Sequence, residues 1–430
     1  MRKLKIILVL LCFVCLFALP AEAEEELIWD NCVAEAAKNN PDLILAQENV
    51  VQQKALKAIT VSQFYPQITA EAGAATQKTS TTSSVSGDVS QATKDSYSYG
   101  VTGTLLLFDG FKTNAGRKAA LENIKAAQQN YRFASSQVRL NLRTAFINLL
   151  KAQELIRVAQ EIVKIRKDNL ELISLRYESG LEHKGALLTA KANFAQAEFE
   201  LSQARRDVAL AQRQLTKEMG RKVFGPLSVK GSFVVRDTAE LKPDFEMLVK
   251  ANPFLGKITA KKNAAFFDLK SADAESLPKV SATSGAHRSS SDWPPENDEW
   301  NIGVNVSVPV FEGGLRRSRV QSAKAAYKQA QAGERSTKDS VIVALEQKWV
   351  SLQDAVESLK AQKEMLVAAQ ERADIAETQY STGFITFDNW IIIENDLVKA
   401  KKTYLEAQAN ALYAEAEWIQ AKGETLEYAQ

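Results

Sequence analysis

Cysteine and histidine are scarce in this sequence of 430 residues, which has three of the first and two of the second. Cys12 and Cys15 fall in an apolar run at the start of the chain that would be cleaved as part of a secretion signal. Cys32 would then have no intramolecular partner in the mature chain. A disulfide framework or a cysteine metal site is therefore excluded. His183 and His287 have no partner at the spacing of a metal site or a catalytic triad. We expect no metal, no cofactor and no catalytic residue.

The sequence also lacks a charge bias and a long apolar segment. The formal net charge is +2 with 25% of residues charged, so no global field indicates a nucleic-acid partner. After the first residues, no stretch approaches the roughly 18 consecutive apolar residues of a membrane-spanning helix. Any membrane span must therefore consist of β-strands, which have to close into a barrel because lipid satisfies no free strand edge.

The start of the chain has the features of a secretion signal. Basic residues at positions 2, 3 and 5 precede an apolar run over residues 6–19, and a small-residue cleavage pattern follows at 21–23. We predict a signal peptide over residues 1–23 and a mature chain that begins near Glu24. Neither Cys15 nor Cys32 follows a small residue at the cleavage point, so we expect no lipid anchor.

The mature chain contains an internal duplication. The matches fall on turn and helix-breaking residues in one order: Asn40 and Pro41 recur as Asn252 and Pro253, and Gly100, Gly180 and Gly220 recur as Gly303, Gly383 and Gly423. They predict a first repeat over residues 24–220, a linker over 221–243, a second repeat over 244–423 and a C-terminal tail over 424–430.

Each repeat has a predicted pair of strands joined by a polar loop. Residues 300–311 alternate strictly, with Trp300, Ile302 and Val304 opening the apolar parity, over the length that a tilted transmembrane strand requires. Residues 97–107 repeat the pattern more weakly. Partner strands are expected near 67–76 and 279–288, and the polar runs 79–96 and 289–299 are expected to be loops.

The remaining sequence predicts long helices. Residues 117–179 contain no Gly or Pro, and neither do 334–382, so each favours one long helix; a helix of about 60 residues is roughly 90 Å long. Shorter helices are expected over 31–63, 183–219, 245–275 and 388–422. Apolar and Ala positions at three-four spacing are typical of close coiled-coil packing.

Four strands per chain cannot close a barrel, because even the smallest lipid-spanning barrels have about eight. Three chains would supply twelve. The predicted fold class is mainly α with transmembrane β: a long α-helical coiled-coil barrel, and four strands per chain contributing to a trimeric twelve-stranded barrel.

Several segments resemble the TolC family of outer-membrane factors. Gly303, Val304 and residues 308–314 look like the family's strand-to-helix signature, and Gly100, Val101 and residues 107–110 are its first-repeat counterpart. Ala36, the segment 39–43 and the two Tyr-x-x-Gly turns at 177–180 and 380–383 are similar as well. The resemblance covers about residues 28–424.

The resemblance implies a homotrimer in the outer membrane, with a helical barrel in the periplasm and a mixed belt around its middle. It implies a passive exit duct for a tripartite efflux pump or a type I secretion system, and not an enzyme. The implied partners are a periplasmic adaptor protein, an inner-membrane pump reached through it, and outer-membrane lipid. Cargo specificity would then come from the pump and the adaptor.

The resemblance also assigns residues to three kinds of site. The adaptor-binding tips are Tyr177, Gly180, Leu181, Tyr380, Gly383 and Phe384, and both glycines are also expected to cap helices with positive φ. The periplasmic aperture is assigned to Asp388, Asn389 and Ile392, where the family's usual acidic pair is absent. Asp388 forms either a ring of three carboxylates or a helix N-cap. The strand-to-helix turns are Phe108, Asp109, Gly110, Pro309, Phe311, Glu312, Gly313 and Gly314.

Two details of the strands complete the expectations. Leu106 stands where the second repeat has Pro309, and Phe111 replaces the second glycine, so the first strand is expected to enter its helix with a different bend. Trp293 and Trp300 bracket the second loop as members of an interfacial aromatic girdle or through simple packing.

Two other classes of protein remain as alternatives. A secreted coiled-coil stalk protein of the cell envelope would account for the helices and the signal, but not for the period-two strands with their Phe-acidic-Gly turns. A periplasmic enzyme would need a convergent polar site, and the sequence shows none.

Overall fold

The computed structural model describes residues 25–82, 89–235 and 241–428, so the predicted signal peptide lies outside the described residues. Contacts divide the chain into two compact units. Unit one contains the described residues up to Leu45, Arg132–Asn252 and those from Ser340 onward, and unit two contains Ala46–Tyr131 and Pro253–Asp339. No helix in the described residues is long and apolar enough to cross a membrane.

Helices and strands follow one another in the same order in both halves of the chain. They are β1 (Glu25–Leu27), α1 (Trp29–Asn39), α2 (Pro41–Ser62), β2 (Gln67–Thr82), β3 (Val89–Phe108), α3 (Lys112–Glu178), α4 (Lys184–Met219), β4 (Leu227–Val229), α5 (Phe245–Ala251), α6 (Pro253–Ala274), β5 (Lys279–Ser290), β6 (Asn297–Ser307), α7 (Leu315–Ser381) and α8 (Phe387–Ala421).

The predicted long helices are confirmed and begin earlier than expected. α3 and α7 have 67 residues each, because Gly116 and Gly333 lie inside them and do not end them. The predicted helices over 31–63 and 245–275 are wrong as single elements. Each breaks before a proline, which disfavours helical backbone in the preceding asparagine.

The two asparagines at these breaks have equivalent roles in unit one. The Asn40 amide donates to the Glu218 carbonyl (2.8 Å), and its side-chain oxygen accepts from the Asp42 backbone N–H (3.0 Å). The Asn252 amide donates to the Ala421 carbonyl (3.1 Å). Each asparagine therefore ties the start of its repeat to the end of the same repeat's last helix.

Unit one contains a coiled-coil seam and a tied-down N-terminal strand. Ala190, Ala197, Ala204 and Ala211 are buried at strict seven-residue spacing on α4, which permits close helix approach. β1 pairs with β4 in parallel, and the Arg221 guanidinium bridges Glu35 (2.6 Å) and Glu25 (2.7 Å) beside it. Cys32 is free and fully buried, and burial raises the pKa of its thiol to about 12.

Unit two contains an antiparallel sheet of order β2-β3-β5-β6. The predicted loop over 79–96 is largely wrong, because β2 and β3 stay paired from Gln67↔Thr104 to Thr82↔Val89. Threonine favours strands through its branched Cβ, and this preference outweighs the polar composition of the run. The loop predicted over 289–299 shortens similarly, with pairing to Ser289↔Asn297. The strand predicted over 300–311 ends at Ser307, shortly before Pro309, which cannot donate to a ladder.

The period-two prediction is confirmed by the strand register. Val101 pairs with Ala286 and Ala286 with Trp300, so these residues share one face of the sheet. We call this face the apolar face. Its residues on β3 are Tyr97, Tyr99, Val101, Gly103 and Leu105, and those on β6 are Trp300, Ile302, Val304 and Val306. The opposite face presents small and polar residues such as Thr102 and Gly285.

Candidate functional site: the paired helix ends

Two tight turns end the long helices α3 and α7 in unit one. Gly180 has φ +72° and Gly383 has φ +83°, a conformation that glycine adopts without a steric penalty. Beyond them, the Leu181 N–H donates to the Arg176 carbonyl and the Phe384 N–H to the Gln379 carbonyl, both at 2.8 Å. These six-to-one hydrogen bonds define Schellman caps, so the prediction of capping glycines is confirmed.

Side-chain caps begin the helices that follow the turns. His183 Nδ1 accepts from the Ala186 backbone N–H (3.2 Å) at the start of α4. Thr386 Oγ1 accepts from the Asn389 N–H (3.5 Å) at the start of α8, so the alternative of Asp388 as the N-cap is wrong. Asp388 lies in the first turn, where a carboxylate interacts favourably with the helix dipole.

The two turns come together over one buried cluster, which we call the tip core. It is built around Ile173 of α3, Ala186 and Ala190 of α4, Ala376 and Tyr380 of α7, and Phe387, Trp390 and Ile391 of α8. The Tyr380 and Trp390 rings are stacked with centroids 4.5 Å apart and planes 4° from parallel. Phe387 meets both rings edge-on. The tip core fixes four helix ends against one another.

A hydrogen bond links one turn directly to the other. The Tyr380 hydroxyl donates to Glu182 Oε2 at 2.7 Å, and the Arg176 guanidinium lies 4.8 Å from the Tyr380 ring centroid. Burial and the bond to Glu182 both raise the pKa of Tyr380 above its ordinary value. The phenol therefore remains a neutral donor, and it connects α7 to the turn that follows α3.

The residues assigned to the tips divide into supporting and exposed ones. Tyr380 is 1% exposed and supports the turn from inside. Tyr177, Leu181 and Phe384 are 39%, 67% and 83% exposed, so the two turns present several apolar side chains to solvent. The exposed residues form the surface that a partner could touch.

The residues assigned to the aperture share the solvent side of α8. Asp388, Asn389 and Ile392 are exposed, while Phe387, Trp390 and Ile391 turn into the tip core. Asp388 and Ile392 are one helical turn apart, so they lie on one face.

A buried polar pair below the tip core was not predicted. Arg166 donates to Asn395 Oδ1 at 2.5 Å, and Arg166 and Glu394 are each 5% exposed. Burial lowers the pKa of Arg166 and raises that of Glu394, although their mutual attraction opposes both shifts. Arg166 Nη1 and Glu394 Oε2 have no hydrogen-bond partner in the described structure. In the sequence these residues look like ordinary surface charges of long helices, so no signal identifies them.

The aromatic residues of the tip core were also missed, but they had a signal. Phe387 and Trp390 are three residues apart and so share one face of α8. Tyr380 precedes Phe387 by seven residues, near the end of α7, and only a short turn separates the two helices.

The predicted strand-to-helix turns lie in unit two and share an uncommon backbone. Gly110 and Phe111 both have φ +68°, and Gly313 and Gly314 have φ +57° and +87°. Phe111 thus adopts the left-handed conformation of the glycine it replaces, so the expected different bend is not in the turn. The difference lies in the strands, since β3 continues to Phe108 while β6 stops at Ser307.

Short contacts fix both turns. Asp109 Oδ2 accepts from the Thr113 N–H (2.7 Å) and from the Thr113 hydroxyl. Glu312 pairs with Arg316 Nε (3.0 Å), and its carbonyl accepts from the Leu315 N–H (3.1 Å). A Cβ at Gly110 would lie 2.5 Å from Leu277 Cβ, so only glycine fits there. Pro309 and Phe311 precede the second turn, and Phe311 is exposed.

Within the described ranges, no group of three or more His, Cys, Asp and Glu residues could hold a metal ion.

The model of the family described as outer membrane efflux protein matches residues 32–221 and 246–425. Outer membrane efflux protein BepC of Brucella suis is 22% identical over 405 residues, which cover 91% of this chain and 84% of that protein.

Two solved structures have the same fold. The CmeC outer membrane channel of Campylobacter jejuni has a TM-score of 0.77 at 18% identity, covering 92% of this chain and 85% of that chain. The outer membrane protein VceC of Vibrio cholerae has a TM-score of 0.78 at 19% identity, covering 92% and 96%.

Proposed function

The chain belongs to the outer membrane efflux protein family, and from this membership we propose that three copies form one passive exit duct. The chain is an efflux channel subunit of the outer membrane. Family membership does not favour the alternative of a coiled-coil stalk protein. The proposal adds the trimer, its barrel, and the partners that supply cargo.

The observation that carries the trimer is the open four-stranded sheet of unit two. β2 and β6 are its edge strands: among the described strands β2 pairs only with β3 and β6 only with β5, so each has one unpaired edge. Unpaired edges in lipid are costly, and four strands are too few to close on themselves. Three sheets joined edge to edge would give twelve strands, with the apolar face toward lipid and the polar face toward an aqueous lumen.

The length of the apolar face supports a membrane span. Tyr97 and Tyr99 contact Trp293 at one end, with centroids 6.2 and 6.4 Å apart, and Phe108 ends the same strand. From Tyr99 to Phe108 the strand rises about 30 Å, which becomes about 23 Å at the usual tilt. Outer-membrane barrels have an apolar band of about 25 Å flanked by aromatic girdles. Trp293 and Trp300 are accordingly proposed as girdle residues.

The partner proposal rests on the exposed turns of unit one. Leu181 and Phe384 present apolar side chains on a rigid tip core, which is the chemistry of a docking surface for a helical hairpin. We assign this surface to a periplasmic adaptor protein, through which an inner-membrane pump delivers cargo. The strand-to-helix turns at Gly110 and Gly313 are assigned to the passage from barrel to helices.

The proposed processing and organisation follow the duplication. Cleavage of residues 1–23 leaves a chain that begins near Glu24, with repeats over 24–220 and 244–423. Residues 221–243 and the tail 424–430 form the mixed belt.

Mass measurement in mild detergent tests the assembly. We expect three processed chains with their strands intact, because the open sheet is stable in lipid only when closed. A monodisperse monomer that retains its strands would contradict the proposed architecture.

A complementation assay tests the tips. Gly383→Pro and Phe384→Asp are expected to abolish export while trimers still assemble in the outer membrane, and Phe384→Leu, which stays apolar, should export normally. Full export by both disruptive variants would remove the turns from the partner-binding surface.

A further inference from the structure

A pocket in unit two lies next to the apolar face of the sheet. A register shift after Leu106 pairs Phe108 with Val280, which keeps the Phe108 ring on the same face as Leu105. The Phe108 ring then meets Phe111 edge-on, with centroids 5.5 Å apart. Phe111 is therefore the first aromatic residue beyond the end of β3. It lies on the side of the apolar face, which points toward lipid in the proposed trimer.

The backbone holds Phe111 in an exposed position at an energetic cost. Its φ of +68° is strained for a residue with a Cβ, and yet 67% of the side chain is exposed. Burial of the Phe111 ring within this protomer does not offset the backbone strain. Contact between the ring and an apolar ligand would offset it.

The pocket beside Phe111 combines aromatic walls with two ammonium groups. It has a volume of about 480 Å³, and Phe111, Phe266, Phe267 and Leu277 supply apolar surface. Lys118 Nζ lies 5.8 Å from the Phe267 ring centroid, and Lys270 Nζ lies 5.6 Å from that of Phe266. We call it the junction pocket.

The charge of the junction pocket favours an anion. Lys118 and Lys270 are exposed and form no ion pair with any described residue, whereas Lys112 nearby is neutralised by Glu275 at 2.8 Å. Asp273 also lines the pocket, so the three charged side chains leave a net charge of +1.

We propose that the junction pocket binds an anionic phospholipid of the membrane leaflet next to the helices. The phosphate would lie between Lys118 and Lys270, and the start of an acyl chain would cover Phe111. Basic pockets at membrane boundaries recognise anionic head groups, and aromatic side chains favour the same depth. A free phosphate would use the lysines but leave the aromatic walls uncovered. The inference rests on the proposed membrane span.

Binding of short-chain phosphatidylglycerol and phosphatidylcholine to the detergent-solubilised trimer, followed by native mass spectrometry, tests the proposal. Wild type should prefer phosphatidylglycerol. Lys118→Gln with Lys270→Gln should lower its affinity for phosphatidylglycerol about 30-fold, which corresponds to about 2 kcal/mol at roughly 1 kcal/mol per lysine. The matched control is Lys324→Gln with Lys328→Gln, two exposed lysines of α7 in the same unit that also form no ion pair with a described residue. It should bind as wild type does.

Two further arms separate the possible outcomes. Millimolar inorganic phosphate should not compete with the lipid, and strong competition would assign the site to a free anion instead. Equal binding of both lipids by wild type, or an equal loss in the control pair, would overturn the proposal. Trimer mass and conductance are recorded on the same samples. A conducting trimer without lipid preference contradicts only this inference, whereas absence of a trimer contradicts the proposed function.

Discussion

Tyr380 at the end of α7 lies flat against Trp390, the fourth residue of α8, with ring centroids 4.5 Å apart. The same tyrosine donates its hydroxyl to Glu182, which belongs to the turn between α3 and α4. One side chain therefore joins both helix turns of the candidate site, one through its ring and one through its hydroxyl. Changes at Tyr380 and Trp390 separate these two contributions.

Trp390→Ala should destabilise the tip core strongly. The indole is 1% exposed and stacked, and truncation of a buried aromatic side chain typically costs about 3 to 5 kcal/mol. Thermal unfolding of the solubilised protein measures the loss. Phe384→Ala, at an exposed aromatic residue of the same turn, should stay within about 0.5 kcal/mol of wild type. Equal losses in both variants would show that the tip core does not depend on the stack.

Tyr380→Phe should loosen the connection between the turns while keeping the stack. The lost bond goes to a carboxylate whose side chain is only 10% exposed, so a cost of about 1.5 to 3 kcal/mol is expected. Hydrogen exchange should accelerate over residues 176–186. Tyr177→Phe, at a partly exposed tyrosine in that segment, is the control. Glu182→Gln added to Tyr380→Phe should cost less than the sum of the single changes, and full additivity would rule out the link.

Sequence patterns identified this site only in part. The Tyr-x-x-Gly turns were predicted because a positive φ leaves a glycine in the sequence, and Gly180 and Gly383 adopt it. The contact of Tyr380 with Glu182 was not predicted, because it joins residues far apart in the chain that only the helix packing brings together. Nor was Thr386 recognised as the N-cap, since Asp388 has similar capping chemistry two residues later.

The fold was predicted better than its boundaries. Absence of Gly and Pro over about 50 residues or more is a strong helix signal, so α3 and α7 were found. The ends of β2 and β3 were misplaced because serine and threonine occur in both loops and strands, and pairing with a neighbouring strand decides between them. A single residue also decided β6, where Pro309 follows an alternating pattern that would otherwise have continued.

The same glycine-to-alanine change should have opposite effects at two positions. At Gly383, with φ +83°, alanine should cost about 1 to 2 kcal/mol through backbone strain alone, since a Cβ there contacts nothing within 4 Å. Gly333 lies inside α7 without positive φ and with equally open space, so alanine should stabilise it by about 0.5 to 1 kcal/mol. Thermal unfolding of both variants gives the sign of each change in stability. If both substitutions stabilise or both destabilise the protein, the assigned backbone conformations are wrong.

Glu394 should make stability fall as pH rises. Burial raises its pKa in the folded chain above the ordinary 4.5, against the attraction of Arg166 and Lys401 and with the help of Glu377. Between the two pKa values the folded chain keeps a proton that the unfolded chain has lost, so raising the pH through this window favours unfolding. We expect the melting temperature of wild type, measured from pH 4 to 8, to fall as the pH rises relative to that of Glu394→Gln. Glu364→Gln, at an exposed carboxylate, should follow wild type. Parallel curves for wild type and Glu394→Gln would show that the carboxyl is not perturbed.

Ile392 should close the duct by packing. It is 55% exposed on the face of α8 that also carries Asp388 and Asn389, and in the proposed trimer three copies would meet near the axis. An apolar constriction excludes water and blocks ions without fixed charge. Ile392→Ser should therefore raise the single-channel conductance of the reconstituted protein markedly.

Asp388→Ala should chiefly reduce block by multivalent cations, because three carboxylates at the entrance attract them. Leu210→Ser, at an exposed leucine roughly 40 Å along α4 from its start, should leave conductance unchanged. If Ile392→Ser conducts as wild type does, or if Asp388→Ala alone opens the channel fully, the constriction lies at other residues.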